Sequence, residues 1–223
     1  MEELFNKLGI TPKNIELYNL AFTHSSYVNE KNAKDDYERL EYLGDAVLEL
    51  VSSDYLYHTF NVEEGQLTKL RANYVCENAC FTYASNLGFS KYIKVSHGEE
   101  LEGGRYKKVI LADIFEAFMG AIYLDLGFDT VKEVILKVIT PYIEGTGTSF
   151  FNDYKSKLQE LVQTEQRTVH YELIEEKVPA HKKEFTMEVV VDGIVYGKGI
   201  GASKKEAEQE AAKDALDKLA TLD

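Results

Sequence analysis

The hydrophobic pattern of this chain changes once, and that change limits the fold more than any other feature. From residue 1 to 144, apolar residues recur at the spacing of amphipathic helices, with short turn signals between them. Residues 145–149, Gly-Thr-Gly-Thr-Ser, then contain no large apolar side chain, as is typical of a flexible linker. We therefore expect an all-α domain over 1–144, a linker over 145–151, and a second domain after it.

The second part of the chain, 152–221, has a different pattern. A helical segment at 153–163 precedes three segments of alternating polarity, at 169–175, 184–191 and 194–202. Asp192-Gly193 joins the last two segments and is a strong signal for a tight β-hairpin. A helix rich in Ala, Glu and Lys at 204–219 follows. The order α-β-β-β-α predicts a small α+β domain.

Acidic residues occupy unexpected positions in the helical part. Glu38, Glu41 and Asp45 recur at helical spacing beside an apolar stripe, so they share one face of a predicted helix. Like charges stacked on one face repel each other, and a surface helix normally mixes Lys or Arg into such a face. For this stretch alone, a solvated acidic face is an equally good interpretation.

A second acidic pair lies in a stretch that is apolar almost all round. Residues 109–124 contain Asp113 and Glu116, which share one face of a helix that the pattern predicts to be buried. No Lys or Arg occurs within this stretch to pair with them locally. A buried carboxylate is costly unless it is paired or binds a metal, so this pair favours a functional interpretation.

Placed side by side, the two helices would bring Glu41, Asp45, Asp113 and Glu116 into one all-oxygen cluster. Carboxylate oxygens suit hard cations such as Mg2+ or Mn2+. A zinc site is disfavoured because neither stretch contains a His. Mg2+ held by carboxylates can activate water and stabilise a leaving oxygen in phosphoryl chemistry. The spacing of the residues leads no further than this.

At these residues the chain resembles the ribonuclease III family of double-stranded-RNA endonucleases. The run 38–48, Glu-Arg-Leu-Glu-Tyr-Leu-Gly-Asp-Ala-Val-Leu, is similar to the signature helix of that family. Segments 98–105 and 111–117 are similar to its second acidic region, and 23–27 and 64–65 contain related residues. The resemblance covers essentially the whole chain, in the order nuclease domain, short linker and RNA-binding domain.

The resemblance implies a set of site residues. The implied metal ligands are Glu41, Asp45, Asp113 and Glu116, with Asp45 and Glu116 as the catalytic residues. Glu38 and Glu64 would support the site, and their alternative is an ordinary capping or surface carboxylate. Gly44 would allow another helix to pack closely beside the metal. The implied cofactor is Mg2+, for which Mn2+ would substitute.

The resemblance also implies an activity and an assembly. Members of the family hydrolyse double-stranded RNA and leave 5'-phosphate and 3'-hydroxyl ends with short 3' overhangs. Their all-helical endonuclease domain forms a homodimer, whose two-fold axis matches the symmetry of a duplex. Processing of ribosomal RNA precursors and other RNAs is the expected biological role.

The second domain resembles a double-stranded-RNA-binding domain, which recognises A-form shape through 2'-hydroxyls and phosphates. The implied RNA contacts come from the first helix, the loop before the second strand and the start of the last helix. These residues are Gln159, Glu160, Gln163, His181, Lys182, Lys183, Ser203, Lys204 and Lys205. Ser203 is a predicted N-cap, and the two lysines after it would bind phosphate beside the helix N-terminus. Those lysines alone would indicate only a solvated helix start.

Two positions depart from the pattern of the family. Val178 stands where the loop before the second strand usually has Gly, and Val resists a positive φ. Tyr106 follows Arg105 where bacterial relatives often carry a second Arg, which would weaken a phosphate contact.

Composition bears on partners and location. The net charge of -13 argues against nucleic acid at first sight, but recognition depends on where the charges lie. No run approaches 18 apolar residues, so we expect no membrane span. Two cysteines and an acidic N-terminus without an apolar segment predict a cytoplasmic protein. Cys76 and Cys80, four apart on a predicted helix, are expected to be packed core thiols.

Two other classes of protein remain as alternatives. A catalytically silent regulator that binds double-stranded RNA could lose metal ligands, whereas all six carboxylates are present here. A small-molecule metal hydrolase would have no use for residues 152–221.

Overall fold

A computed structural model describes residues 1–31, 34–145, 154–164, 167–177 and 183–220. The chain divides into two compact units, Met1–Phe151 and Asn152–Asp223. Most of the predicted linker, from residue 146 onward, lies outside the described residues. In the described parts of the chain, none of the helices combines the length and the apolar character needed to cross a bilayer.

The regular elements of the first unit are all helices in its described residues, and an isolated β-bridge joins Thr23 to Lys94. Its α-helices are α1 (Glu2–Leu8), α2 (Ile15–Ala21), α3 (Ser25–Lys31), α4 (Glu38–Thr59), α5 (Glu64–Val75), α6 (Glu77–Leu87), α7 (His97–Leu101), α8 (Lys108–Leu126) and α9 (Phe128–Glu144). Two 3-10 turns, at Phe89–Lys91 and Gly104–Tyr106, flank α7. The predicted all-α architecture of this part of the chain is confirmed.

Helix α8 is the centre of the first unit because its side chains are apolar almost all round. It packs against α2, α4, α6 and α9. Phe118 of α8 contacts the rings of Phe5, Tyr18, Phe22 and Phe89, which join α1, α2 and the first 3-10 turn to the same core. The core therefore fixes the direction in which the polar residues of α8 can point.

The backbones of α4 and α8 touch where the helices cross. A Cβ atom on Gly44 would lie 1.8 Å from the backbone oxygen of Glu116, and one on Gly120 would lie 2.3 Å from the backbone oxygen of Leu40. Only glycine leaves room for this approach. The close packing expected at Gly44 is present, and Gly120 is its counterpart on the other helix.

The second unit has the order α10 (Tyr154–Thr164), β1 (Val169–Lys177), β2 (Glu184–Val191), β3 (Ile194–Gly201) and α11 (Lys204–Ala220). The three strands form an antiparallel sheet in the order β1-β2-β3. At the hairpin, Asp192 and Gly193 have φ values of 48° and 80°, as a two-residue turn with two positive φ angles requires. The predicted α+β class and the hairpin are confirmed.

Side chains alternate between the two faces of the sheet, and those on one face form the core of the second unit. Phe185, Met187, Val189 and Val191 of β2 face the helices and pack with Leu158 and Val162 of α10 and with the alanines of α11. Glycines at 197, 199 and 201 let α11 lie directly on β3, since a Cβ atom at each would be within 2.6 Å of the backbone of α11.

One detail of the predicted secondary structure is wrong. Cys76 and Cys80 do not share a helix, because α5 ends at Val75 and α6 begins at Glu77. Cys76 lies between them with extended backbone angles, φ -71° and ψ 162°, and is the N-cap residue of α6. Cys80 is fully buried, as expected for a core thiol, whereas Cys76 is half-buried.

Candidate active site and nucleic-acid interface

The acidic residues of α4 lie at its start, next to the crossing with α8. Glu38 is exposed in the first turn, Glu41 is half-buried, and Asp45 is exposed one turn later. Gly44 adjoins Asp45 and touches the backbone of Glu116, so the glycine contact brings the acidic faces of the two helices together. The arrangement places negative charge on both sides of one helix crossing.

The pKa values of the two carboxyl groups on α8, those of Asp113 and Glu116, are both raised. Burial raises the pKa of Glu116 to about 8, and the charges that add to this effect are those of Asp45, Glu41 and Asp113. Burial is also the main cause of the raised pKa of Asp113. The charges of all three other predicted ligands therefore act on the pKa of Glu116.

The two carboxyls on α4 are shifted in the same direction. Burial raises the pKa of Glu41 to about 7, and the nearby charges of Asp113, Glu38 and Asp45 add to the effect. Partial burial of its carboxyl group raises the pKa of Asp45 although the residue as a whole is exposed, and the charge of Glu49 on the same helix adds to this effect. No Lys or Arg is among the groups that shift the pKa of these four carboxyls.

The cluster has the donor chemistry of a hard-cation site, but its side chains are not preassembled. Among the described residues, no three His, Cys, Asp or Glu side chains converge closely enough to hold a metal ion as they stand. Burial, and after it the charges of the neighbouring carboxylates, raise the pKa of Glu41 and Glu116, and no Lys or Arg of the described residues is among the groups that offset the rise. A divalent cation with oxygen ligands would relieve that repulsion, so the residues fit such an ion.

Tyr37 fixes the position of Asp113. The hydroxyl of Tyr37 donates to Oδ2 of Asp113 at 3.1 Å, and this hydrogen bond acts against the effect of burial on the pKa of Asp113. The ring of Tyr37 is buried. Nothing in the spacing of the sequence indicated the contact of Tyr37 with a residue 76 positions later.

The segment 23–27 contacts Tyr37 through a backbone hydrogen bond and a ring contact. The backbone N–H of Tyr37 donates to the carbonyl oxygen of Thr23 at 3.0 Å. The ring of His24 lies 5.8 Å from that of Tyr37, and its Nδ1 is 2.8 Å from Oγ of Ser26. Ser26 in turn accepts the backbone N–H of Ser96 at 3.0 Å. These residues contact Tyr37, which hydrogen-bonds to Asp113, but they do not themselves belong to the acidic cluster.

Glu116 has a second neighbour that spacing did not reveal. Sγ of Cys80 lies 3.7 Å from Oε1 of Glu116, in the contact between α6 and α8. This hydrogen bond acts against the rise in the pKa of Glu116. Burial, followed by the charge of Glu116, raises the pKa of the Cys80 thiol well above its usual range, so the thiol keeps its proton.

Glu64 lies elsewhere in the first unit. It is exposed at the start of α5, where its Oε1 accepts the hydroxyl of Thr68 at 3.0 Å. It lines a surface cavity of about 460 Å3 together with Leu50, Tyr57 and Arg71. Glu64 is not among the charges that shift the pKa of the predicted ligands, whereas Glu38 is among those that act on Glu41 and Asp113.

The glycine-rich segment after α7 builds a turn whose arginine is engaged within the protein. Gly103 adopts a positive φ of 74°, and Gly104 lies against Glu99. The guanidinium of Arg105 donates to the carboxylate of Glu100 and to the carbonyl oxygen of Ile93. The ring of Tyr106, which departs from the family pattern, is exposed.

In the second unit, the predicted RNA contacts of α10 share its solvent-facing side. Gln159, Glu160 and Gln163 are exposed, whereas Leu158 and Val162 are buried against the sheet and α11. Spacing of three and four residues places the polar side chains on one helical face. The predicted loop residues His181 and Lys182, and Val178 before them, lie outside the described residues; Lys183 is exposed.

The start of α11 is closed by two reciprocal hydrogen bonds. Oγ of Ser203 accepts the N–H of Glu206 at 3.2 Å, and Oε2 of Glu206 accepts the N–H of Ala202 at 2.8 Å. The predicted N-cap is thus confirmed. Lys204 and Lys205 are exposed in the first turn, beside the positive end of the helix dipole.

Comparison with protein families gives two matches that together span most of the chain. A family model described as Ribonuclease-III-like matches residues 14–143. A second model, described as Double-stranded RNA binding motif, matches residues 154–219.

Individual relatives and structures agree with these matches. Ribonuclease 3 of Geobacillus kaustophilus is 51% identical over 226 residues, covering 100% of this chain and 92% of the relative. Ribonuclease 3 of Listeria monocytogenes is 48% identical, with coverage of 98% and 97%. Two solved structures of the nuclease domain of ribonuclease III from Campylobacter jejuni are similar to the first unit. Their identities are 41% and 38%, their TM-scores 0.59 and 0.61, and they cover 62% and 66% of this chain and 94% and 98% of their own.

Proposed function

Because the chain belongs to the ribonuclease III family, we propose that it is an endoribonuclease that cleaves double-stranded RNA. The family match covers both the helical unit and the RNA-binding motif, which fits an enzyme that binds a duplex with one unit and cuts it with the other. The observation that carries the proposal is the group of four mutually repelling carboxylates at the crossing of α4 and α8.

We infer that Glu41, Asp45, Asp113 and Glu116 hold a divalent cation, Mg2+ with Mn2+ able to substitute, and that Asp45 and Glu116 are the catalytic residues. When bound, such a cation supplies activation of water and stabilisation of the leaving oxygen in phosphodiester hydrolysis. Tyr37 holds Asp113 by its hydrogen bond, and the glycine contact holds α4 against α8. Glu38 adds negative charge beside Glu41.

The products follow from hydrolysis in which the 3'-oxygen departs. We propose 5'-phosphate and 3'-hydroxyl ends with short 3' overhangs, in ribosomal RNA precursors and other RNAs. We also retain the cytoplasmic location as a prediction from the cysteine content.

We propose that the first unit forms a homodimer, so that two sites act on opposite strands. Tyr42, Leu50 and Tyr57 of α4 are 82%, 57% and 71% exposed, and their spacing places them on one side of the helix. Exposed apolar side chains grouped in this way are typical of an interface. One of the Campylobacter jejuni structures is described by a region involved in dimer formation. Sedimentation equilibrium of the full chain tests this assembly.

We propose that the second unit binds duplex RNA through the exposed face of α10, through the predicted contacts His181, Lys182 and Lys183, and through the start of α11. The polar face of α10 can donate and accept hydrogen bonds with 2'-hydroxyls. The exposed Lys204 and Lys205 suit the phosphates between two minor grooves. Ser203 would support this site from the N-cap position.

The deciding experiment is cleavage of a long RNA duplex of arbitrary sequence, with Mg2+ or with a chelator. We expect wild-type protein to cut only with Mg2+, and Glu116→Ala to lose activity by a factor of at least ~1,000 because a ligand is missing. The matched control is Glu133→Ala, since Glu133 is an exposed carboxylate of α9. Its activity should equal that of wild type.

The same samples separate the enzyme from the silent regulator. Glu116→Ala should bind the duplex within about 3-fold of wild type, because the proposed RNA contacts of the second unit are intact. If wild type binds RNA but does not cut it with Mg2+ or Mn2+, the chain is a binding protein and the proposed activity is wrong. Cleavage by Glu116→Ala would refute the assignment of the metal ligands.

A further inference from the structure

The thiol of Cys80 lies against the carboxylate of Glu116 between α6 and α8. Its Sγ is 3.7 Å from Oε1 of Glu116 and 3.7 Å from the backbone oxygen of Val75 at the end of α5. Cys80 is fully buried. Among the described residues, no other side chain hydrogen-bonds to the Glu116 carboxylate.

We propose that Cys80 is a positioning residue for the metal site, whose S–H donates to Oε1 of Glu116 and holds that carboxylate in its ligating orientation. This inference rests on the proposed function, because it takes Glu116 as a metal ligand. Groups that orient a ligand in this way commonly change metal affinity by about 10-fold or more when they are removed.

The S–H group has two acceptors in reach, and the carboxylate is the stronger one. Glu116 must be ionised to bind a metal, and a hydrogen bond to a charged acceptor is roughly twice as strong as one to a neutral carbonyl. In that state the S–H group donates to Glu116 in preference to Val75. A thiol is a weak donor in water. Because Cys80 is fully buried, water does not compete for its S–H, so the contact stabilises one orientation of the Glu116 side chain.

Cys76 provides a matched comparison within the same chain. Its Sγ donates to the carbonyl oxygen of Asn73 at 3.4 Å, and it is only half-buried. Cys76 lies between α5 and α6, and Cys80 lies in the first turn of α6. Of the two thiols, that of Cys80 contacts Glu116. A substitution at Cys76 therefore controls for general effects on this region.

The test measures Mn2+ binding to the full chain without RNA, by electron paramagnetic resonance. Cys80→Val fills a similar volume without a donor, and we expect it to weaken Mn2+ binding about 10-fold. Cys80→Ser keeps a donor, and its affinity should stay within about 3-fold of wild type. Cys76→Val should bind as wild type does. Thermal unfolding in chelator establishes that each variant is folded.

Three results would overturn the proposal. Cys80→Val could bind Mn2+ as tightly as wild type, or Cys80→Ser could lose as much affinity as Cys80→Val, which would indicate packing alone. Wild-type protein that binds no Mn2+ would remove the metal site and the positioning role with it. The first two results leave the proposed function intact, so the two failures are distinguishable.

A second measurement decides the matter if Cys80→Val does not fold. The chain has two cysteines, so the Cys76→Val protein contains a single thiol, that of Cys80. At a pH above 9, where Glu116 is ionised, we expect its S–H stretching band in the infrared to move to higher frequency when Glu116→Gln is added, because a charged acceptor is replaced by a neutral amide. An unchanged band would show that the thiol does not donate to Glu116.

Discussion

At the scale of residues, the acidic cluster brings like charges together, and no Lys or Arg of the described residues is among the groups that shift their pKa values. Glu41 and Glu116 have pKa values of about 7 and 8 because burial and neighbouring carboxylates disfavour their charged forms. Each is therefore a cost to the folded protein at neutral pH when no cation is bound. The cluster follows a common pattern, in which groups placed for binding or catalysis reduce stability.

This cost predicts how stability depends on pH. The folded state holds protons on Glu41 and Glu116 more tightly than the unfolded chain, whose ordinary Glu pKa is 4.5. The free energy of unfolding of the metal-free protein should therefore fall as pH rises from about 5 to 8. Glu116→Gln should reduce that fall and be more stable than wild type at pH 8 by on the order of 1 kcal/mol.

Urea unfolding in chelator at several pH values measures this effect. Glu133→Gln, at the exposed site on α9, should leave the pH profile unchanged. Adding Mg2+ should stabilise wild type more than Glu116→Gln, because the variant lacks one proposed ligand. A variant that is no more stable than wild type at pH 8 would contradict the view that the cluster is strained.

At the scale of elements, the crossing of α4 and α8 sets the geometry of the site. Gly44 and Gly120 bring two backbones into contact, and carboxylates of the two helices are close enough for Asp45 and Glu41 to raise the pKa of Glu116. The spacing of the acidic residues indicated which face of each helix carries the carboxylates. It could not indicate the distance between the helices, which depends on one glycine from each.

Gly120→Ala should therefore destabilise the first unit by about 3 kcal/mol, because its Cβ would lie 2.3 Å from the backbone oxygen of Leu40. The control is Gly65→Ala in α5, where a Cβ would have no neighbour within 4 Å. We expect that change to raise stability slightly, by about 0.5–1 kcal/mol. Thermal unfolding of the full chain, followed by circular dichroism, compares the two. Equal stability of both variants would contradict the inferred backbone contact.

Most elements could be predicted because their signals are local. The alternation of β2 and the Asp192-Gly193 turn determined the hairpin, and apolar periodicity determined the long helices. The break at Cys76 was missed because the sequence has no Gly or Pro there. The contacts of Tyr37 with Asp113 and of Cys80 with Glu116 depend on how distant helices pack, which periodicity does not contain.

At the scale of the whole molecule, the net charge of this chain does not indicate the partner that its second unit is built to bind. The chain carries -13, yet the second unit matches an RNA-binding motif. The explanation lies in the distribution of charge: several negatives belong to the acidic cluster of the first unit, while Lys204 and Lys205 are exposed at one helix start. A few placed cations can supply the phosphate contacts that total charge would seem to exclude.

The salt dependence of RNA binding tests this distribution. Lys204→Ala combined with Lys205→Ala should weaken duplex binding and reduce the slope of log affinity against log salt by about 1–2, since each phosphate contact contributes about 1. The control is Lys198→Ala: Gly197 and Gly199 face α11, so Lys198 lies on the opposite side of the sheet. Binding is measured in chelator to prevent cleavage. A slope equal to that of wild type would exclude the phosphate site.

The contact between Tyr37 and Asp113 joins residues 76 positions apart, and this separation has a consequence during synthesis. A chain emerging from the ribosome presents α4, with its half of the acidic residues, well before α8 has been translated. Until α8 docks, those carboxylates are ordinary solvated groups on an incomplete domain. The order of translation thus delays the assembly of the proposed catalytic centre until α8, which carries Asp113 and Glu116, has been translated, while the nascent protein is still beside ribosomal RNA.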